Sequence, residues 1–151
     1  MAKYDNKNTY KGNQSYTKPS TKPVKEISLT PENYVDQAED VIANRLEKKG
    51  NNFLLTTSKI RNILSMVTEL YDDVIHYPED KMSADIVERI QYLRLRIAYE
   101  AGREASVKNF VEESDLLNQV KKIGSSKKNF LLFCKYVEAL VAYHRFYGGR
   151  E

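Results

Sequence analysis

The sequence predicts an all-α protein, a compact bundle of about five helices preceded by a flexible basic N-terminal tail. Apolar residues recur every three to four positions through most of the chain beyond Thr30, the period of a helix with one buried face. The periodic segments open on threonine or serine and close at glycine or before proline, the residues that cap and stop helices. No stretch shows sustained alternation with β-branched enrichment and turn glycines, so strands are not expected.

The first helix starts at Thr30-Pro31, with threonine as cap and proline at the first helical position, where its missing N–H costs nothing. Tyr34, Val35, Ala38, Val41, Ile42 and Leu46 follow at helical spacing as far as the stop at Lys48-Lys49-Gly50. A second helix opens at Thr56-Thr57-Ser58, carries Ile60, Ile63, Leu64, Val67, Tyr71 and Val74, and ends before Pro78. Ser83 opens the third, whose stripe is Ile86, Ile90, Leu93 and Ile97, with Gly102 near its end. The fourth runs from about Ser106 to Lys122 and stops at Gly124. Ser125-Ser126 caps the fifth, which carries Phe130, Leu131, Phe133, Val137, Leu140, Val141 and His144 before Gly148-Gly149.

The third helix is apolar on more than one side. Val87 and Ala98 sit about a quarter turn from the stripe and Leu95 lies nearly opposite it, so this helix is either buried or faces a second partner. It also places Arg89, Arg96 and Arg103 at seven-residue intervals on one side, with Tyr92 and Tyr99 beside them. Such a band can follow a phosphate backbone, or its arginines can pair with carboxylates of neighbouring helices. Arg94, on the other flank, is as plausible a contact as any of the three.

Charge is unevenly spread along the 151 residues. The formal net charge is +3, yet residues 1–30 hold six lysines against Asp5 and Glu26, leaving the rest of the chain nearly neutral. Residues 1–29 are polar and lysine-rich and read as a tail that is disordered when alone. That tail is either a solubilising leader or an arm for an anionic partner, with Tyr4, Tyr10 and Tyr16 available to stack on bases. Residues 30–151 then form a single helical-bundle domain, and the 41% hydrophobic and 30% charged residues of the whole chain are a globular composition. No apolar run approaches the length of a membrane span, and no apolar leader follows Met1. A lone Cys134 fits a reducing compartment, so a soluble, cytoplasmic protein is expected.

Catalytic chemistry finds little support. The histidines are His76 and His144, and Cys134 stands ten residues from His144 on one predicted helix, about 15 Å along its axis. No spacing of cysteine, histidine or carboxylate suggests a metal site, and the glycines form no phosphate-binding loop. Neighbouring carboxylates such as Asp72-Asp73 and Glu112-Glu113 diverge by 100° on a helix and do not converge on one proton. Neither catalytic residues nor a metal or cofactor is therefore expected, and binding remains. Cations gather at Lys59 and Arg61, at Lys108, and at Lys121, Lys122, Lys127 and Lys128 around the last turn. Lys121 and Lys122 suit the negative end of a helix, whereas Lys127, Lys128 and Lys135 crowd the end that prefers anions.

Three segments carry a family resemblance. FLLTTSKIRNIL (53–64), QYLRLRIAYEAGRE (91–104) and FLLFCKYVEALVAYHRFYGG (130–149) closely resemble the small subunit of type III-A CRISPR effector complexes, the Csm complex. The resemblance runs from about Tyr34 to Gly149 and excludes the lysine-rich tail. It implies a small five-helix bundle without catalytic function, present in more than one copy per complex, the copies stacking into an inner filament beside the backbone subunits. It also implies that this filament touches the guide RNA–target RNA duplex, mainly along the target strand, with chemistry left to other subunits. Carried onto this chain, the matching segments make Lys59, Arg61, Arg94, Arg96 and Arg103 the expected phosphate contacts; Lys127 and Lys128 rest on charge alone. The competing reading is a helical protein–protein adaptor whose arginines are all salt-bridged and which never meets nucleic acid.

Overall fold

The computed structural model describes residues 26–151. The chain is all-α, with α1 at Tyr34–Asp40, α2 at Thr57–Ile75, α3 at Ala84–Arg103, α4 at Ala105–Glu113, α5 at Leu116–Ile123 and α6 at Lys127–Phe146. α6 packs against α1, α2 and α5, while α3 packs against α2, α4 and α5. Tyr136, Phe110, Phe130 and Phe133 are the largest side chains of the core they enclose. Each such fully buried side chain contributes about 1.5–3 kcal/mol relative to leaving it in water.

The expected caps are in place at three helices. Thr56 Oγ1 accepts the Lys59 N–H at 3.3 Å, Ser83 Oγ the Ile86 N–H at 3.3 Å, and Ser126 Oγ the Asn129 N–H at 3.2 Å. The start of the first helix is different. Thr30 and Asn33 exchange hydrogen bonds between backbone N–H and side-chain oxygen, closing a turn around Pro31, and α1 begins only at Tyr34. α1 then loosens into a π-helical turn, Val41–Arg45, and the chain is extended at Leu46, where the helix was expected to run on to the stop at Lys48-Lys49-Gly50.

Two further expectations are corrected. Two short strands exist: β1 (Lys48–Lys49) pairs antiparallel with β2 (Asn52–Phe53), turning at Gly50-Asn51. Strands of two residues are too short to show alternation in a sequence. The expected fourth helix is two helices, which makes six in all among the described residues. Ser114 Oγ donates to the Phe110 carbonyl at 2.6 Å, and Asp115 takes a left-handed conformation at φ 55°, so the backbone ladder breaks between α4 and α5.

That break has a purpose in the fold, because Asp115 receives the entering chain. Ile27, within the stretch expected to be tail, is 1% exposed and sits in the core. Its N–H donates to Asp115 Oδ2 at 3.1 Å, while its carbonyl accepts from Gln119 Nε2 and, at 3.2 Å, from Lys122 Nζ. Residues 26–29 thus belong to the packed bundle. Residues 1–25, with the expectation placed on Tyr4, Tyr10 and Tyr16, lie outside the described residues.

Candidate nucleic-acid interface

Helices α2 and α3 lie side by side and antiparallel, and a ladder of ion pairs marks their seam. Arg89 donates to Asp73 at 2.7 Å and Arg96 to Glu69 at 2.9 Å. At the other end of the seam Lys59 meets Glu104, whose carboxyl is held below its usual range chiefly by the hydrogen bond from that ammonium. Arg103 reaches Glu100 at 3.3 Å along its own helix and covers the Tyr99 ring at 5.6 Å. The seam therefore gathers Lys59, Arg96 and Arg103 on one side of the bundle. There each cation has a carboxylate partner, and the surface is close to neutral.

The remaining expected contacts do not join them. Arg61 lies on the outer side of α2, exposed, with no ion pair or side-chain hydrogen bond among the described residues. Arg94 is turned about 160° from Arg96 around α3, and its one partner among the described residues is Gln91 Oε1 at 3.4 Å. Lys127 is structural: its ammonium donates to the carbonyls of Ile75 at 2.9 Å and Tyr77 at 2.7 Å, closing the C-terminal end of α2. That place is about 24 Å from Lys59 along α2 at 1.5 Å per residue. Lys128 is exposed beside it, and among the described residues only its backbone N–H is engaged, by Asp80 at 3.0 Å. Sequence reasoning passed over Lys81, which an isolated bridge pairs with Ser126 at the same corner. Nothing local in the sequence marks a meeting of residues so far apart.

The apolar side of α3 that the stripe left unexplained is exposed. Tyr92, Leu95 and Tyr99 show 62%, 64% and 65% of their surface to solvent, at the three- and four-residue spacing of one helix face. Arg96 and Arg103 flank that face.

Cys134 and His144 are both buried on α6. Burial pushes the Cys134 thiol up to about 12, so it is not a thiolate nucleophile near neutral pH. His144 Nε2 lies 2.8 Å from the Leu55 carbonyl and must carry the proton, since a carbonyl only accepts; Nδ1 is buried and has no partner among the described residues. Burial, more than the neighbouring Arg145, lowers the His144 pKa below its ordinary value of 6.5. The unfolded chain then binds this proton at a higher pH than the folded one. Stability is complete above pH 6.5 and declines as the pH falls from there toward the depressed folded value. Urea midpoints are expected to drop between about pH 7.5 and 5.5, and His144→Gln should flatten that limb; an unchanged slope in the variant would reject the assignment.

Among the described residues, no three His, Cys, Asp or Glu side chains come together as a metal site, and no helix is long and apolar enough to cross a membrane.

The family model described as Csm2 Type III-A matches residues 28–150. The chain belongs to the Csm2 type III-A family. This is the small-subunit family that the three sequence segments resemble. A Streptococcus thermophilus protein named "CRISPR system Cms protein Csm2" is 41% identical over 123 residues, covering 82% of this chain and 98% of the relative. One of the same name from Mycobacterium tuberculosis (strain CDC 1551 / Oshkosh) is 39% identical over 125 residues, 83% of this chain and 99% of the relative. An Enterococcus italicus protein, again so named, is 43% identical over 95 residues, 62% of this chain and 68% of the relative. The Csm2 match opens at residue 28, one position beyond the buried Ile27.

Proposed function

We propose that the chain is the non-catalytic small subunit of a cytoplasmic type III-A CRISPR RNA-guided effector complex in antiviral defence. In this reading copies stack into an inner filament beside the backbone subunits, and the filament touches the target strand of the guide–target duplex through phosphates. The observation that carries it is the 41% identity that extends over nearly the whole length of the Streptococcus thermophilus Csm2 protein. The exposed face of α3 supports stacking, since a contiguous apolar surface on a small bundle marks a contact with another protein. The inert thiol of Cys134 supports a subunit that leaves chemistry to its partners.

For RNA, the structure reorders the candidates. Arg61 and Arg94 have no carboxylate partner among the described residues and are the first choice. Lys59, Arg96 and Arg103 sit in exposed ion pairs, which are screened by salt and hold weakly, so a phosphate can displace their partners. Lys127 leaves the set because its ammonium closes α2. Specificity would reside in guide pairing, with the protein meeting phosphate and sugar.

The same ion pairs favour the second reading, an adaptor that makes no nucleic-acid contact. Binding of target RNA by the assembled complex, measured against salt, separates the two. Arg61→Ala and Arg94→Ala should each weaken binding alike for all target sequences and lower the salt slope by about one. A loss confined to one sequence rejects phosphate contact, and slopes unchanged both in these variants and in a triple Lys59→Ala/Arg96→Ala/Arg103→Ala variant establish the adaptor.

A further inference from the structure

A groove of about 630 Å³ opens between the start of α1 and the first turns of α6. Its floor is apolar: Leu29, Pro31 and Tyr34 on one wall, Leu131 and Leu132 on the other. Lys128 and Lys135 stand on the α6 rim, seven residues apart and about 10.5 Å along the axis, both exposed. Neither ammonium has a carboxylate within ion-pairing distance among the described residues. Asp80, the acidic residue of the lining, is already engaged: its carboxylate accepts the Lys128 N–H at 3.0 Å and caps α6. The groove thus joins an oily floor to an unneutralised positive rim.

We propose that this groove docks an acidic amphipathic helix of another protein. Apolar side chains of that helix lie on the leucine and tyrosine floor, and two carboxylates seven residues apart match the rise between Lys128 and Lys135. Charge selects this occupant over the others within reach. Residues 1–25 of the chain itself carry six lysines against Asp5, the wrong sign for this rim. The exposed apolar face that a second copy offers on α3 is edged by Arg96 and Arg103, whose partners Glu69 and Glu100 are already engaged, so that face brings no unpaired carboxylate to this rim. An RNA backbone would meet the lysines but gain nothing from a floor of Leu, Pro and Tyr.

The test uses the full chain and a fluorescein-labelled, alanine-based helical peptide bearing two glutamates seven residues apart with leucines between them. Fluorescence anisotropy should show saturable binding, weakened about tenfold by the double variant Lys128→Glu/Lys135→Glu. A peptide with lysine in place of glutamate should bind the double variant in preference to the original chain, and serine in place of leucine should abolish binding to both. Lys128→Glu falls in the first turn of α6, where glutamate is favoured, and Lys135→Glu on its exposed side, so the double variant keeps its fold, which its melting curve checks. The proposal is overturned if the glutamate peptide does not bind or binds both chains equally. It is also overturned if the double variant loses affinity for a labelled oligouridine in place of the peptide, which makes the rim a phosphate surface. A double variant that dissolves self-association in sedimentation overturns it as well, in favour of a second copy.

Discussion

Asp115→Ala is expected to destabilise the bundle by about 3–5 kcal/mol. One carboxylate oxygen, Oδ2, takes three donors: the Ile27 N–H at 3.1 Å, the Gln119 amide at 3.0 Å and the Asn118 amide at 3.2 Å. The first two are buried, and a buried donor stripped of its acceptor costs about 1–3 kcal/mol. Alanine must also hold the left-handed backbone at φ 55°, which aspartate tolerates through its short polar side chain and alanine does not, a further 1–2 kcal/mol or so. The damage spreads, since releasing Ile27 opens the core where the entering chain plugs it. Asp115→Asn keeps an acceptor and the tolerance for that conformation and should lose about half as much. Urea unfolding gives both numbers; an alanine variant within about 1 kcal/mol of the parent would mean that residues 26–29 are not held through this carboxylate.

Gly149→Ala should cost about 2–4 kcal/mol, the toll of forcing atoms into filled space. A methyl group there would fall within the van der Waals envelope of the His144 ring and 2.7 Å from the His144 carbonyl oxygen. The ring cannot swing aside without leaving the Leu55 carbonyl, nor can the backbone, because the Gly149 N–H donates to the His144 carbonyl at 2.7 Å. Beyond it the Arg150 carbonyl accepts the Thr57 N–H at 2.9 Å, so a displaced Gly149 also loosens the first turn of α2. Gly148→Ala is the comparison. Nothing lies within 4 Å of a methyl group there, and only the left-handed φ of 98° penalises it. Melting temperatures should fall further for Gly149→Ala than for Gly148→Ala; the reverse order would show that strain, not crowding, governs this turn.

Most of the fold was readable because helices announce themselves locally. Ser83 before Ile86-x₃-Ile90-x₂-Leu93 states a start, a period and a buried face within a dozen letters, and the structure keeps all three. Ile27 announces nothing: one apolar residue in a polar stretch has no period, and its slot is built by Asp115 and Gln119 from the far half of the chain. The break at Asp115 was hidden for the opposite reason. Val107, Phe110, Val111 and Val120 keep a helical beat on both sides of it, so the pattern reads straight through. At the candidate interface residue type was legible and pairing was not. Arg96 and Glu69 meet across two helices, and Lys127 finds its carbonyls at the end of α2; neither meeting leaves a trace in local spacing.

The packing of α6 against both α1 and α2 bears on how the protein is made. The helix that covers the early elements is synthesised after all of them, so a nascent chain that has emerged only through α5 still holds the α6-facing sides of α1 and α2 uncovered. Long-range closures such as His144 to Leu55 and Tyr147 to Glu39 come later still, and native contacts so distant in sequence slow folding. Ribosome-bound chains should therefore stay open to proteases across α2 until α6 has cleared the exit tunnel, and close in a late, concerted step.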